Sequence, residues 1–305
     1  MISFNLYNRN CRLGNNMFQY AFTRTQAELL GVQFFFPDWI GDDIFILNDQ
    51  KNRAIQPLNI QHYYKEMWPI KDYSRAWLKI QDNTEIYGNF ESEKNFNTDK
   101  VKEWYIFREE KFQKIKEKYK DIDFAKSCGI HLRLWDKKNG SSFKNNFYVP
   151  RFFYYQNALK LVQNKKNILI FSDEPEKAKK YFNKLTGNIV YIQDNADWED
   201  LYIMSQCHDF ICGSSTMSWW GAWLIQYSDK IIVFPKEGLF RPGGILKNSD
   251  LIPKNWIKVP SLIPFLDSHF LLDPRYIFQE KVRGFLKKNF PYIYTLHKYL
   301  YWRKK

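Results

Sequence analysis

Residues 209–223 read DFICGSSTMSWWGAW. Asp209–Cys212 is an apolar run of strand length, Gly213–Thr216 is a turn of small hydroxyl residues, and an apolar stretch predicted as a helix over 217–227 follows. Outward from this unit the same alternation recurs. Strands are predicted at Cys128–Arg133, Asn167–Phe171, Asn188–Ile192 and Lys230–Phe234, with helices at about 150–163, 175–185 and 197–206. Pro150 and Pro175 stand at first-turn positions of two of these helices. Apolar strands alternating with amphipathic helices indicate a parallel α/β sheet rather than a sandwich.

The first part of the chain repeats the theme less clearly. A strand Ile2–Tyr7 leads through a polar turn containing Gly14 into a helix from Asn15 to Leu30, ended by Gly31, and Val32–Phe36 reads as the next strand. Residues 37–83 have weak periodicity, and a strand is placed only near Glu85–Gly88. A highly charged helix over 98–120 is expected on the surface, leading into a second domain. The fold class is therefore α/β, with two Rossmann-like domains, 1–122 and 123–274, facing a cleft and a tail at 275–305. Ligands of such sheets lie outside the carboxyl ends of the strands.

Composition narrows the function classes. The 305 residues are 45% hydrophobic and 26% charged, enough apolar surface for a core, and no run of apolar residues is long enough to span a bilayer. No secretory leader is read at the N-terminus, so a cytoplasmic protein is expected. Cys11, Cys128, Cys207 and Cys212 have no CxxC spacing and read as buried thiols. The 57 aromatic residues (26 Phe, 20 Tyr, 11 Trp) exceed what packing needs, and some are expected to face a ligand or an interface. The net charge of +13 is concentrated: residues 275–305 carry nine Lys/Arg against one Glu, together with nine aromatics. That tail suits peripheral contact with an anionic membrane face, or else a packed helix with a solvated basic side. It suits nucleic acid less well.

The strand ends hold the candidate chemistry. Gly14 and the helix N-terminus after it offer an anion site that Arg12 would reinforce, or a tight turn capped by Asn. His131 and Arg133 share one face of their strand, where Arg133 meets an anionic ligand or pairs with Asp136. Ser172 and Asp173 cap a helix or touch a ligand. Ser214, Ser215, Thr216 and Ser218 gather four hydroxyls at one strand-to-helix turn, a neutral cradle for phosphate. No Walker A lysine motif, GxGxxG, GxSxG or metal-binding acidic cluster is present.

Three patches in order resemble the bacterial α-1,2-fucosyltransferases, which are related to protein O-fucosyltransferases. They are Arg12-Leu13-Gly14-Asn15-Asn16-Met17-Phe18-Gln19-Tyr20-Ala21, His131-Leu132-Arg133-Leu134-Trp135-Asp136, and Asp200-Leu201 through Met204-Ser205 to Ser215-Thr216-Met217-Ser218-Trp219-Trp220-Gly221-Ala222-Trp223. Weaker echoes are Gly88–Lys94 and Phe171-Ser172-Asp173. Departures from the family pattern are Leu134 for a second Arg, Ser214 for Asn, Thr216 for Ser and Met217 for Phe.

The resemblance implies a GT-B type glycosyltransferase fold, with the acceptor on the side of 1–122 and the donor nucleotide on 123–274. It also implies inverting transfer of L-fucose from GDP-β-L-fucose to a galactose-type hydroxyl, in α-1,2 linkage, during surface-polysaccharide synthesis. No cofactor or metal is expected. Arg133 and Asn15 take the catalytic roles, Arg133 meeting the charge that grows on the β-phosphate. Ser215, Thr216 and Ser218 complete the cradle, His131 holds the loop or touches the donor, and Asp173 reads ribose or guanine. Asp136, Glu91 and Glu93 all remain open as the general base. A lipid-linked glycan acceptor at the inner face of the plasma membrane would fit the basic tail. The rival readings are a different sugar nucleotide, a non-catalytic nucleotide- or glycan-binding relative, and a nucleic-acid binder using the tail.

Overall fold

The computed structural model of the chain describes residues 1–5, 12–57, 59–66, 80–134, 147–239 and 250–262. Met1–Ser261 form one compact unit; a second, Leu262–Lys305, lies almost wholly outside the described residues, and with it the basic tail. No helix among the described residues is long and apolar enough to cross a membrane.

The protein is α/β with two parallel sheets. The first is built from β1 (Ile2–Ser3), β2 (Phe34–Phe35), β3 (His62–Lys65) and β4 (Thr84–Tyr87), in the order β2-β1-β4-β3. Between them lie α1 (Leu13–Leu30) and the short α2 (Gly41–Ile44). The connection to the second sheet carries α3 (Thr98–Trp104) and α4 (Gln113–Lys118). The second sheet is β5 (Ser127–Leu132), β6 (Asn167–Ser172), β7 (Asn188–Ile192), β8 (Asp209–Ile211), β9 (Ile232–Pro235) and β10 (Ile257–Val259), with α5 (Phe152–Leu161), α6 (Pro175–Tyr181), α7 (Asp197–Gln206) and α8 (Thr216–Trp223) in the crossovers. Its order is β10-β9-β8-β5-β6-β7, every pairing parallel, so the winding direction reverses between β5 and β8. That reversal is where a doubly wound sheet opens a crevice.

Several sequence expectations need correction. The helix expected over 98–120 is broken, because tertiary pairing captures its middle: Ile46 N–H donates to Ile106 O and Arg108 N–H to Ile44 O, both at 2.8 Å, around a Phe45–Phe107 bridge. Nor is that segment only a surface element, since Val101, Trp104, Tyr105, Phe112 and Ile115 are buried. Strands β3 and β10 were not expected. Pro150 precedes α5 rather than sitting in its first turn, whereas Pro175 does open α6. The helix after Gly213 starts at Thr216 and ends at Trp223. Of the first strand, Ile2–Ser3 is extended, and Leu6–Tyr7 lie outside the described residues. Gly31 ends α1 as expected, in the left-handed region at φ 66°.

Many of the described aromatic residues pack into one core. Phe18 of α1 lies 4.7 Å, centroid to centroid, from both Trp219 and Trp220 of α8, and Phe96 and Tyr105 close around Trp220 at 5.5 and 5.3 Å. Trp219 and Trp220 are fully buried. Tilted and edge-to-face ring pairs of this kind add to plain area burial, so α1 and α8 are firmly joined. The described cysteines, Cys128, Cys207 and Cys212, are buried free thiols; Cys11 lies outside the described residues.

Candidate active site

The first turns of α1 and α8 meet. Gly14 lies so close to α8 that a Cβ there would stand 2.6 Å from Met217 N and 2.8 Å from Thr216 C. Trp220 Nε1 donates to Gly14 O at 2.9 Å, and Thr216 Oγ1 donates to Asn15 Oδ1 at 2.7 Å. The missing side chain of Gly14 therefore makes room for another helix, not for a ligand. First-turn N–H groups have no partner inside their own helix, so two positive helix ends are brought to one place. Arg12, the N-cap residue of α1, is exposed there.

The hydroxyl cluster divides by hydrogen bonding. Ser214 is fully buried and donates to Leu239 O; Ser218, also fully buried, accepts from Gly213 N–H at 2.9 Å and so closes the turn. Thr216 is engaged with Asn15. Ser215, the N-cap of α8, makes no side-chain hydrogen bond among the described residues. Of the expected cradle of four hydroxyls, three are thus engaged with Leu239, Asn15 and Gly213, and Ser215 is the one left without a side-chain hydrogen bond among the described residues. A Thr216→Val exchange is expected to cost about 0.5–1.5 kcal/mol, the worth of one neutral hydrogen bond, read as a lower denaturation midpoint at unchanged slope.

Arg133 stands just past β5, beside the point of reversal. Gly213 leaves β8 so close to β5 that a Cβ would lie 2.5 Å from His131 O, so the two strand-end loops run side by side. The Arg133 side chain is 13% exposed and its Nε lies 3.5 Å from Asp173 Oδ2. Asp173 Oδ1 in turn accepts from Leu134 N–H at 2.8 Å. The register Leu132↔Ser172 explains the pairing: residues just beyond these two positions leave neighbouring strands together. Asp173 is therefore the carboxylate beside Arg133. Asp136, the partner considered from sequence, lies outside the described residues. Ser172 caps the turn, its Oγ accepting from Glu174 N–H at 3.2 Å.

His131 is buried on β5, its carbonyl accepting from Tyr155 Oη at 3.2 Å. Burial, and then the Arg133 charge, push the imidazole down to about 4, so it is neutral at pH 7. Its Nδ1 is buried without a hydrogen-bond partner among the described residues, and Asp173 Oδ2 has none there beyond its ion pair with Arg133. Unsatisfied buried polar atoms at a strand-end crevice are what a site built for a polar ligand leaves when described without it.

Of the open general-base candidates, Glu93 interacts with Trp223, Lys102 and Lys94, at the far end of α8 from Thr216. Glu91 is buried, and burial followed by the charge of Glu66 pushes its carboxyl up to about 8. Glu66 was missed from sequence because β3, the strand it follows, has no readable alternation. Among the described residues no group of three His, Cys, Asp or Glu side chains gathers as a metal site would require.

The family described as "Glycosyl transferase family 11" matches residues 2–259. An O-antigen biosynthesis glycosyltransferase, WbnK, of Escherichia coli is 32% identical over 120 residues, 37% of this chain and 39% of that protein. An alpha-1,2-colitosyltransferase of Escherichia coli is 26% identical over 187 residues, 59% of this chain and 64% of that protein. The matches thus span less than two thirds of either relative. Among solved structures, POFUT1 in complex with GDP-fucose superposes with a TM-score of 0.50 at 10% identity, over 76% of this chain and 96% of that one, a likeness of fold.

Proposed function

The chain belongs to glycosyl transferase family 11, and from that premise we propose that it transfers L-fucose from GDP-β-L-fucose to a galactose-type hydroxyl of a surface polysaccharide, in α-1,2 linkage and with inversion. The observation that carries this reading is Arg133, held by Asp173 at the reversal of the second sheet, beside the joined N-termini of α1 and α8. The acceptor oxygen attacks the anomeric carbon and gives up its proton to a carboxylate base or, without one, to water. The bond from that carbon to the β-phosphate oxygen breaks, and its electron pair leaves with GDP. Negative charge grows on the diphosphate as this happens, and a guanidinium fork with helix N–H groups is placed to meet it. Neutral His131 adds a polar atom without a competing charge.

A second reading is favoured by the colitosyltransferase relative: the same chemistry with a GDP-linked dideoxy sugar. GDP release from GDP-L-fucose and from GDP-colitose, with and without galactose-terminated oligosaccharides, separates the two. Acceptor-dependent release from GDP-L-fucose is the expected result. GDP binding without release from either donor would favour a binding protein instead.

Arg133 and the helix ends already supply positive potential for the diphosphate, so EDTA is expected to leave turnover within about twofold. Loss restored by Mn²⁺ or Mg²⁺ would count against this. We also propose that the basic aromatic tail holds the enzyme at an anionic membrane surface. Deleting the residues after 275 is then expected to release the protein from anionic vesicles and spare transfer to a soluble acceptor; precipitation of the shortened chain would instead make the tail part of the fold.

A further inference from the structure

The first sheet ends in two carboxyls. Glu66 follows directly on β3 and Glu91 lies just beyond β4, so adjacent parallel strands deliver both to one edge. They are 2% and 3% exposed. Glu66 Oε2 accepts from Asn89 N–H at 2.7 Å and Phe90 N–H at 3.1 Å. Phe90 has a φ of 55°, unusual for a residue with a side chain, and its ring stacks on Phe22 of α1 at 3.8 Å. Gly88 passes so close that a Cβ would stand 2.5 Å from Glu66 Cβ, and its carbonyl accepts from Gln19 Nε2 at 3.0 Å, one turn along α1 from Asn15. Glu66 Oε1 and Glu91 Oε2 are buried without a hydrogen-bond partner among the described residues.

Two anions in such a place repel each other and lack solvation. Glu66, with its two N–H donors, is the member better able to carry charge. Burial still pushes it up to about 7, and burial with the Glu66 charge pushes Glu91 up to about 8. From β3, Tyr64 also feels Glu66, its phenol pushed up by burial and by that carboxylate. From α1 comes neutral Gln19, while the cations Lys94 and Lys102 act on Glu93.

We propose that Glu66 and Glu91, buried together at one edge of the first sheet, act as a coupled carboxyl pair, and that this pair is the positioning element that fixes the loop Gly88–Ser92 on α1 for sugar transfer. The link to transfer rests on the glycosyltransferase reading; the coupling does not. Both carboxyls bind their protons more tightly folded than unfolded. Their stabilising contribution is therefore complete below about pH 4.5 and is lost as pH rises through 7 to 8, by up to about tenfold in the folding constant per pH unit for each group.

The test compares wild type, Glu91→Gln and Glu66→Gln from pH 6 to 9 by thermal unfolding, GDP affinity and transfer rate. Glu91→Gln keeps the neutral partner and cannot ionise. It is expected to flatten the fall in Tm, to unfold at a higher temperature than wild type at pH 8.5, and to keep a larger share of its pH 6.5 transfer rate there. Glu66→Gln offers the two N–H groups a weaker acceptor, and is expected to lower Tm at pH 6 and to lower kcat more than GDP affinity. In wild type alone, infrared difference spectra should show a carboxyl that stays protonated at pH 7 and titrates near 8. Parallel Tm profiles for wild type and Glu91→Gln, or no protonated carboxyl at pH 7, would overturn the proposal. Failure of all tested GDP-sugars would defeat the functional reading and leave the unfolding and infrared results to judge the pair.

Discussion

Arg133→Ala is expected to lower turnover at least ~100-fold, the usual cost of removing one donor aimed at developing charge. The variant also strips Asp173 of the guanidinium 3.5 Å away, and an unpaired buried carboxylate can cost several kcal/mol of stability. Activity must therefore be read beside Tm. Arg133→Lys separates the two effects. A lysine keeps a positive charge near Asp173 and should restore most of the lost stability, but a point charge does not reproduce a bidentate fork on a phosphate. Its turnover is expected to remain close to that of the alanine variant. Near-normal rates in both variants would remove Arg133 from the chemistry.

Gly14→Ala should have the second large effect, with a sign opposite to helix propensity. In an exposed helix this exchange gains up to about 1 kcal/mol. Here the new Cβ would lie 2.6–2.8 Å from Met217 N, Thr216 Oγ1 and Thr216 C, and two of those three atoms are backbone. α1 and α8 must separate, stretching the Trp220–Gly14 and Thr216–Asn15 hydrogen bonds. Overpacking of this kind costs about 1–3 kcal/mol. Because the helix ends that the separation misaligns are those assigned to the diphosphate, kcat/KM is expected to fall at least ~10-fold along with a lower Tm. A raised Tm would show that the two helices do not meet as described.

The second sheet was legible, apart from its edge strand β10, because buried parallel strands are continuous apolar runs bounded by helices. Asn188–Ile192 and Asp197–Gln206 match their expected limits end to end. In the first sheet β1, β2 and β4 fall within or beside expected strands, and β3 was missed for the converse reason. β3 is an edge strand, His62-Tyr63-Tyr64-Lys65, mostly exposed, and shows neither alternation nor an apolar run. The helix expected at 98–120 failed where a contact remote in sequence, Phe45 with Phe107, outweighed local propensity.

The site divides the same way. Which residues stand at strand ends could be read from the chain, and so His131, Arg133 and the turn after Cys212 were found. Which partner each takes depends on strand register. Asp173 reaches Arg133 only because β6 lies beside β5, and the hydroxyls of Ser214 and Ser218 turn inward to Leu239 O and Gly213 N–H. Glu66 and Glu91 come together by the pairing of β3 with β4, and no spacing in the sequence encodes that.

A crystal structure of the protein with GDP tests the central claim most directly. The diphosphate is expected within hydrogen-bond distance of the Arg133 guanidinium, with at least one oxygen at the joined N-termini of α1 and α8 near Ser215. GDP bound at saturating concentration anywhere other than the carboxyl edge of β5 and β8 would contradict it.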